Sequence, residues 1–277
     1  MSNPTLPEPE QIRSFVRERY GAIAEQADES CGCQSAGCCG GKSEASYGEK
    51  LGYTAEQLAA APAGSDLGLG CGNPLAIASI KPGETVLDLG SGAGFDCFLA
   101  ARQLAGTGQV IGVDMTAAMI TKARANAAKN GYANPPAAGK TSVEFRLGEI
   151  EALPVADATV DLILSNCVIN LSPEKGRVFR EAFRALKPGG RLAIADVVAV
   201  RPVPLELRAK LASIGACIGG ATLVDELQAL LAAAGFARVE IVPRESSRAY
   251  IGNWTEDAAA GEFVVSALIT AYKPEGS

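Results

Sequence analysis

Histidine is missing from this 277-residue chain, and that absence excludes more than any other feature of its composition. Without it there is no Ser-His-Asp or Cys-His nucleophile and no histidine-bearing metal site. The usual general base near neutral pH is gone as well. A reaction run here uses a carboxylate as base, or an acceptor that already carries a free lone pair. Long apolar runs are also missing: none reaches the ~18 residues needed to cross a bilayer, and no N-terminal apolar stretch resembles a signal peptide. No cluster of Lys and Arg offsets the net charge of −6. These absences predict a cytoplasmic protein that binds neither nucleic acid nor membrane and acts on a small molecule. In that compartment the eight cysteines read as ligands or reactive thiols rather than as a disulfide framework.

What is present centres on Thr85 to Phe98, TVLDLGSGAGFDCF. Val86, Leu87 and Leu89 form the short apolar run of a central parallel strand. Gly90, Gly92 and Gly94 then let the chain turn sharply and let a ligand approach its backbone. The helix that follows points its free N–H groups at whatever lies over the glycines. Asp114 closes the next strand, at the distance where an acidic side chain takes the ribose hydroxyls of an adenosine. With Asp88 inside the first strand, DLGSGAG resembles the first motif of the S-adenosylmethionine-dependent methyltransferases. The resemblance implies S-adenosylmethionine as cofactor, with Asp88, Gly90, Ser91, Gly92 and Gly94 along its methionine and ribose side. It places Asp114 on the ribose hydroxyls, Met115 against the adenine, Gly148, Glu149 and Ile150 at the adenine edge, and Asn166 facing the sulfonium. For Glu149 a solvated loop carboxylate is the alternative.

The rest of the chain fits an α/β fold of Rossmann-like type, with a seven-stranded, mostly parallel sheet, an N-terminal cysteine-rich extension and a C-terminal α+β region. Residues 1–74 are expected to cover the site, 75–200 to form the cofactor-binding core, and 201–277 to complete the site and close the sheet. Glu8 to Gln26 patterns as an amphipathic helix, and Asp28 to Ser46 as a loop carrying Cys31, Cys33, Cys38 and Cys39. Thr54 and Gln57 form a capping box for a short helix over Tyr53–Ala61. Strands are predicted at Thr85–Leu89, Gln109–Val113, Ser142–Leu147, Val160–Leu164 and Arg191–Val197. Helices are predicted at Phe95–Leu104, Ala117–Lys129, Glu174–Leu186, Leu205–Ile218 and Leu223–Ala234, and antiparallel closing strands at Phe236–Val242 and Glu262–Ala271.

Cys71, Cys167 and Cys217 each lie in a glycine- or polar-flanked turn where packing does not call for a thiol. Cys97, inside a helix, reads as a buried small hydrophobe. The four N-terminal cysteines lack the separated pairs of a zinc site. The first three, if convergent, make a soft site of sulfur alone. From RERYG at Arg17 through GCGNP, DLGSGAGFDC, VDM, SNCVINL and CIGGA to FVVSALITAYK, the chain resembles the arsenite methyltransferases. That resemblance implies that Cys71, Cys167 and Cys217 bind trivalent arsenic, that arsenite and methylarsenite are substrates, and that a fourth, N-terminal cysteine pairs with Cys71 during turnover. Separation from Cys71 favours Cys38 or Cys39 for that role among Cys31, Cys33, Cys38 and Cys39. It further implies a monomer served by a thiol reductant, thioredoxin or glutathione. Ala216 departs from the glutamate that some eukaryotic relatives carry there, which removes a proton acceptor. Two other readings stay open: a carbon- or oxygen-directed methyltransferase of sterol or quinone type, and a non-enzymatic thiol module for soft metals.

Overall fold

A computed structural model describes residues 4–29, 46–252, 254 and 261–276. Four helices precede the sheet: α1 (Pro9–Glu29), α2 (Tyr47–Leu51), α3 (Ala55–Ala60) and α4 (Leu75–Ala78). Then β1 (Thr85–Leu89), α5 (Phe95–Leu104), β2 (Gln109–Asp114), α6 (Ala117–Lys129), β3 (Ser142–Leu147), β4 (Val160–Asn166), α7 (Lys175–Ala185) and β5 (Leu186–Ala199) alternate. The chain finishes with α8 (Leu205–Arg208), α9 (Leu211–Gly215), β6 (Thr222–Leu223), α10 (Val224–Ala233), β7 (Ala237–Arg244), α11 (Arg248–Ile251) and β8 (Val264–Tyr272).

The strands form one sheet in the order β3-β2-β1-β4-β5-β8-β7, parallel except for β8, which runs against both of its neighbours. Side chains alternate across it. Leu87 and Leu89 of β1, with Ile163 of β4, join the layer under α7 and α10, whereas Val86, Leu162 and Leu164 join the layer under α4, α5 and α6. Both faces are therefore covered, which is why the central strands are largely apolar. Asp88 falls on the α5 face and is buried there, accepting a hydrogen bond from Cys97 Sγ at 3.2 Å.

Three expectations about elements need correction. The sheet has an eighth strand: β6 pairs with Val198 and Ala199 of β5, beyond the point where β4 ends. Two residues are too few for a periodic signal, and the pairing is set by tertiary contact. The helix expected over Leu205–Ile218 breaks into α8 and α9 at Lys210, whose backbone is extended. The break lets the chain fold back until Gly219 lies against the Leu207 carbonyl, where a Cβ would come within 2.8 Å. β5 also begins earlier than expected, at Leu186, because Lys187 to Gly190 bulges between the Val160–Leu186 and Leu162–Arg191 pairs without ending the strand.

Candidate active site

The strand order reverses between β1 and β4, and the crevice at their carboxyl ends is the natural ligand site of such a sheet. Gly90, Ser91 and Gly92 form one wall. Gly92 takes a φ of 51°, and a Cβ there would meet nothing nearer than Met119 Sδ at 3.9 Å, so a side chain would fill the crevice itself. Asp114 is fixed by two backbone N–H groups, from Gly92 to Oδ2 at 2.9 Å and from Thr116 to Oδ1 at 2.8 Å. The Ser91 hydroxyl is buried and unpartnered. Asp88, Met115, Gly148, Ile150 and Asn166 also line the crevice. Gly94 and Glu149 do not. Gly94 precedes α5 at a φ of 96°, where a Cβ would strike Phe145 at 2.6 Å. Glu149 turns its carboxylate to α1, 3.2 Å from Arg17 and 3.9 Å from Arg13. Through Arg13, Val16, Arg19 and Tyr20, α1 roofs the crevice.

Beside this cavity the three expected cysteines come together, all buried. Cys167 follows β4 at a φ of 59°, and Cys217 follows α9 at 61°. Left-handed backbone at a residue with a side chain is strained, and surrounding structure must hold it. The Cys167 N–H donates to the Ala195 carbonyl at 2.8 Å. The Cys71 N–H donates to Asn166 Oδ1 at 3.1 Å, and the Cys71 carbonyl accepts from the Tyr250 hydroxyl at 3.0 Å. The ligand atoms of Cys71, Cys167 and Asp196 lie within 4.8 Å of one another. Cys217 stands at the edge of this group, its thiol donating to the Cys167 carbonyl at 3.1 Å.

A methyltransferase domain family matches residues 80–235. The chain is 52% identical over 273 residues to an arsenite methyltransferase of Halobacterium salinarum, a match covering 96% of this chain and 68% of that one. The chain belongs to the arsenite methyltransferase family. An arsenite methyltransferase of Aquipseudomonas alcaligenes is 43% identical over 180 residues, 62% of this chain, and the match spans 49% of that relative's length. The crystal structure of an arsenic(III) S-adenosylmethionine methyltransferase from Chlamydomonas reinhardtii superposes with a TM-score of 0.57 at 32% identity, over 84% of this chain and 74% of that one.

Within this family site, Cys38 and Cys39, like Cys31 and Cys33, lie outside the described residues. Electrostatics sort the remaining groups. Burial pushes the Cys71 thiol up to about 11. For Cys167 the contact with Cys217 pulls down, but the Cys71 thiol and burial win and it too is raised. Cys217 is raised by the Cys167 contact and by burial. All three are therefore protonated thiols at neutral pH. Asp88 is pushed well up by burial, with the Asp96 charge adding to it, and Asp96 rises by burial to about 6 despite hydrogen bonds from Tyr53 and Asn166.

Asn166, expected from the sequence, and two side chains that sequence reasoning passed over, Tyr53 and Asp196, complete the site. Asn166 Nδ2 donates to the Gly72 carbonyl at 2.9 Å and lies 3.1 Å from Asp96 Oδ2, so one amide ties the Cys71 turn to the start of α5. Tyr53 donates to Asp96 Oδ1 at 2.6 Å. Asp196, buried in the middle of β5, is the carboxylate among the sulfurs. Its signal was available: LAIADVVAV is an apolar strand with one acid in it.

Proposed function

We propose that the protein transfers the methyl group of S-adenosylmethionine to trivalent arsenic held by Cys71, Cys167 and Cys217. The observation that carries the reading is the meeting of Cys71 and Cys167 sulfurs within 4.8 Å of each other, with Cys217 bonded beside them, where Cys167 and Cys217 line the crevice that Asp88 and Asp114 also line.

The crevice fits the methyl donor. Carboxylates at the crevice suit its positive charge, and Asp114, held by two backbone N–H groups at the end of β2, suits a ribose diol. When bound, S-adenosylmethionine supplies an electrophilic methyl group on a positively charged sulfur. The chain's own work is to orient: Asn166 holds the Cys71 turn, and the Ala195 carbonyl holds Cys167. Cys217 leaves the Cys167 carbonyl to complete the sulfur set. Arsenic bound by three thiolates keeps a lone pair, so it attacks the methyl carbon without losing a proton. That answers the missing histidine. The product is formally pentavalent and takes two electrons from a thiol pair that closes a disulfide, for which we assign Cys71 with Cys38 or Cys39. Thioredoxin or glutathione then reopens it, and methylarsenite re-enters as substrate. With this reading go a monomer and a cytoplasmic setting, where such reductants keep thiols reduced.

Arsenic speciation by mass spectrometry after incubation with arsenite, S-adenosylmethionine and a thiol reductant tests it. Methylated arsenic is expected from the wild type and not from Cys167→Ser. None from the wild type, with the methyl donor shown to bind, refutes the reading and points to an organic acceptor.

A further inference from the structure

Methyl transfer to arsenic moves a charge as well as a carbon. Before the step the sulfonium is positive and arsenic with three thiolates is neutral. The arsenic lone pair forms the As–C bond, the S–CH3 bond breaks, and its electron pair stays on the sulfur as a neutral thioether. Arsenic is oxidised from the trivalent to the pentavalent state, and the positive charge now sits on a tetrahedral arsenic with one carbon and three sulfur neighbours. No proton leaves. What accelerates such a step is fixed negative charge beside the atom that becomes positive, in a site with little water.

We propose that the Asp196 carboxylate is that charge, an inference that rests on the arsenite-methylating reading. Its oxygen lies within 4.8 Å of both the Cys71 and Cys167 sulfurs, so arsenic bound to them is its neighbour. It cannot turn away, because three donors hold it: the Ile169 N–H at 2.8 Å, the Val197 N–H at 2.7 Å and Asn170 Nδ2 at 2.9 Å. The same donors favour the ionised form. Burial opposes the charge, and those hydrogen bonds and the Lys175 ammonium favour it. The bonds from Ile169 and Asn170 also tie the turn after Cys167 to β5, so the test has to separate the charge from this structural role. The neighbours of Asp196 in β5, Ala193, Ile194, Ala195, Val197 and Val198, are all apolar and buried. A buried charge in such a strand costs stability.

The test uses the full chain with arsenite and S-adenosylmethionine, and reads arsenite affinity, S-adenosylmethionine affinity and the single-turnover rate of methyl transfer separately. Asp196→Asn removes the charge and also sets an amide NH2 against one of the donors, so it is read beside Asp196→Glu and Asn170→Ala. We expect its single-turnover rate to fall on the order of 100-fold, with both dissociation constants within about threefold of wild type. Asn170→Ala removes one of the three donors and keeps the charge, and its rate should fall by less than about fivefold. Asp196→Glu also keeps the charge and should stay within about tenfold of wild type. The inference is overturned if Asp196→Asn transfers methyl within threefold of wild type. It is equally overturned if the loss tracks arsenite affinity, or if Asn170→Ala is as slow. Should Asp196→Asn not fold, Asp196→Glu decides, since a folded, arsenite-binding Glu variant that is 100-fold slow removes the role for charge. A wild type that makes no methylated arsenic fails the underlying reading instead, and so is told apart from all of these.

Discussion

The thiols decide the proton balance of substrate binding. Arsenous acid carries three hydroxyls, and each As–S bond made from a protonated thiol releases one water with no change in free protons. A thiolate would instead take up a proton from solution for each hydroxyl displaced. Burial holds Cys71 up to about 11, and Cys167 and Cys217 are raised as well, so the thiol form should persist between pH 7 and 9. Titration calorimetry in two buffers of different ionisation heat should therefore show near-zero proton exchange on arsenite binding at pH 7 to 8, where arsenous acid is itself neutral. Uptake approaching one proton per cysteine at pH 8 would mean that the free protein holds thiolates. At this scale the cysteines were legible, because a thiol in a glycine turn serves no packing need. The partners of Asp196 were not, since they reach it from β4's trailing turn, across a strand boundary that spacing in sequence does not encode.

Glycines set the turns that deliver those residues, and they differ in what they tolerate. Gly220 packs so closely on the turn after Cys167 that a Cβ would lie 2.0 Å from the Asn170 carbonyl oxygen. Gly220→Ala should separate the Cys217 turn from Cys167, lowering stability by about 2 kcal/mol or more and weakening arsenite binding at least tenfold. Gly176, in α7, meets only ordinary contacts, the nearest being Arg180 Nη1 at 3.5 Å. Gly176→Ala should stabilise by about 0.5–1 kcal/mol, leaving arsenite affinity unchanged. Thermal melts and equilibrium dialysis read both, and equal effects of the two substitutions would contradict the role of Gly220 in holding the Cys217 turn against the turn after Cys167. β1, β2, β4, β5 and β8 were legible as elements because each carries an apolar run. β6 and the α8–α9 break were not, because two residues and one extended lysine follow tertiary contacts rather than local pattern.

Across the whole molecule, the sequence separates Cys71, Cys167 and Cys217 widely, and only the topology reunites them. β4 carries Cys167 to the switch point beside β1, Asn166 draws the Cys71 turn onto it, and the break after α8 returns Cys217 from beyond β5. The cofactor turn could be read from its local motif. The convergence of thiols could be read only through a family resemblance, because no periodicity relates the three positions. X-ray absorption spectroscopy at the arsenic edge, on the folded full chain with one equivalent of arsenite, tests this convergence most directly. We expect three sulfur neighbours around arsenic in the wild type, and two with one oxygen in each of Cys71→Ser, Cys167→Ser and Cys217→Ser. Oxygen-dominated coordination in the wild type, or a sulfur shell unchanged by any one of the three substitutions, would contradict the account.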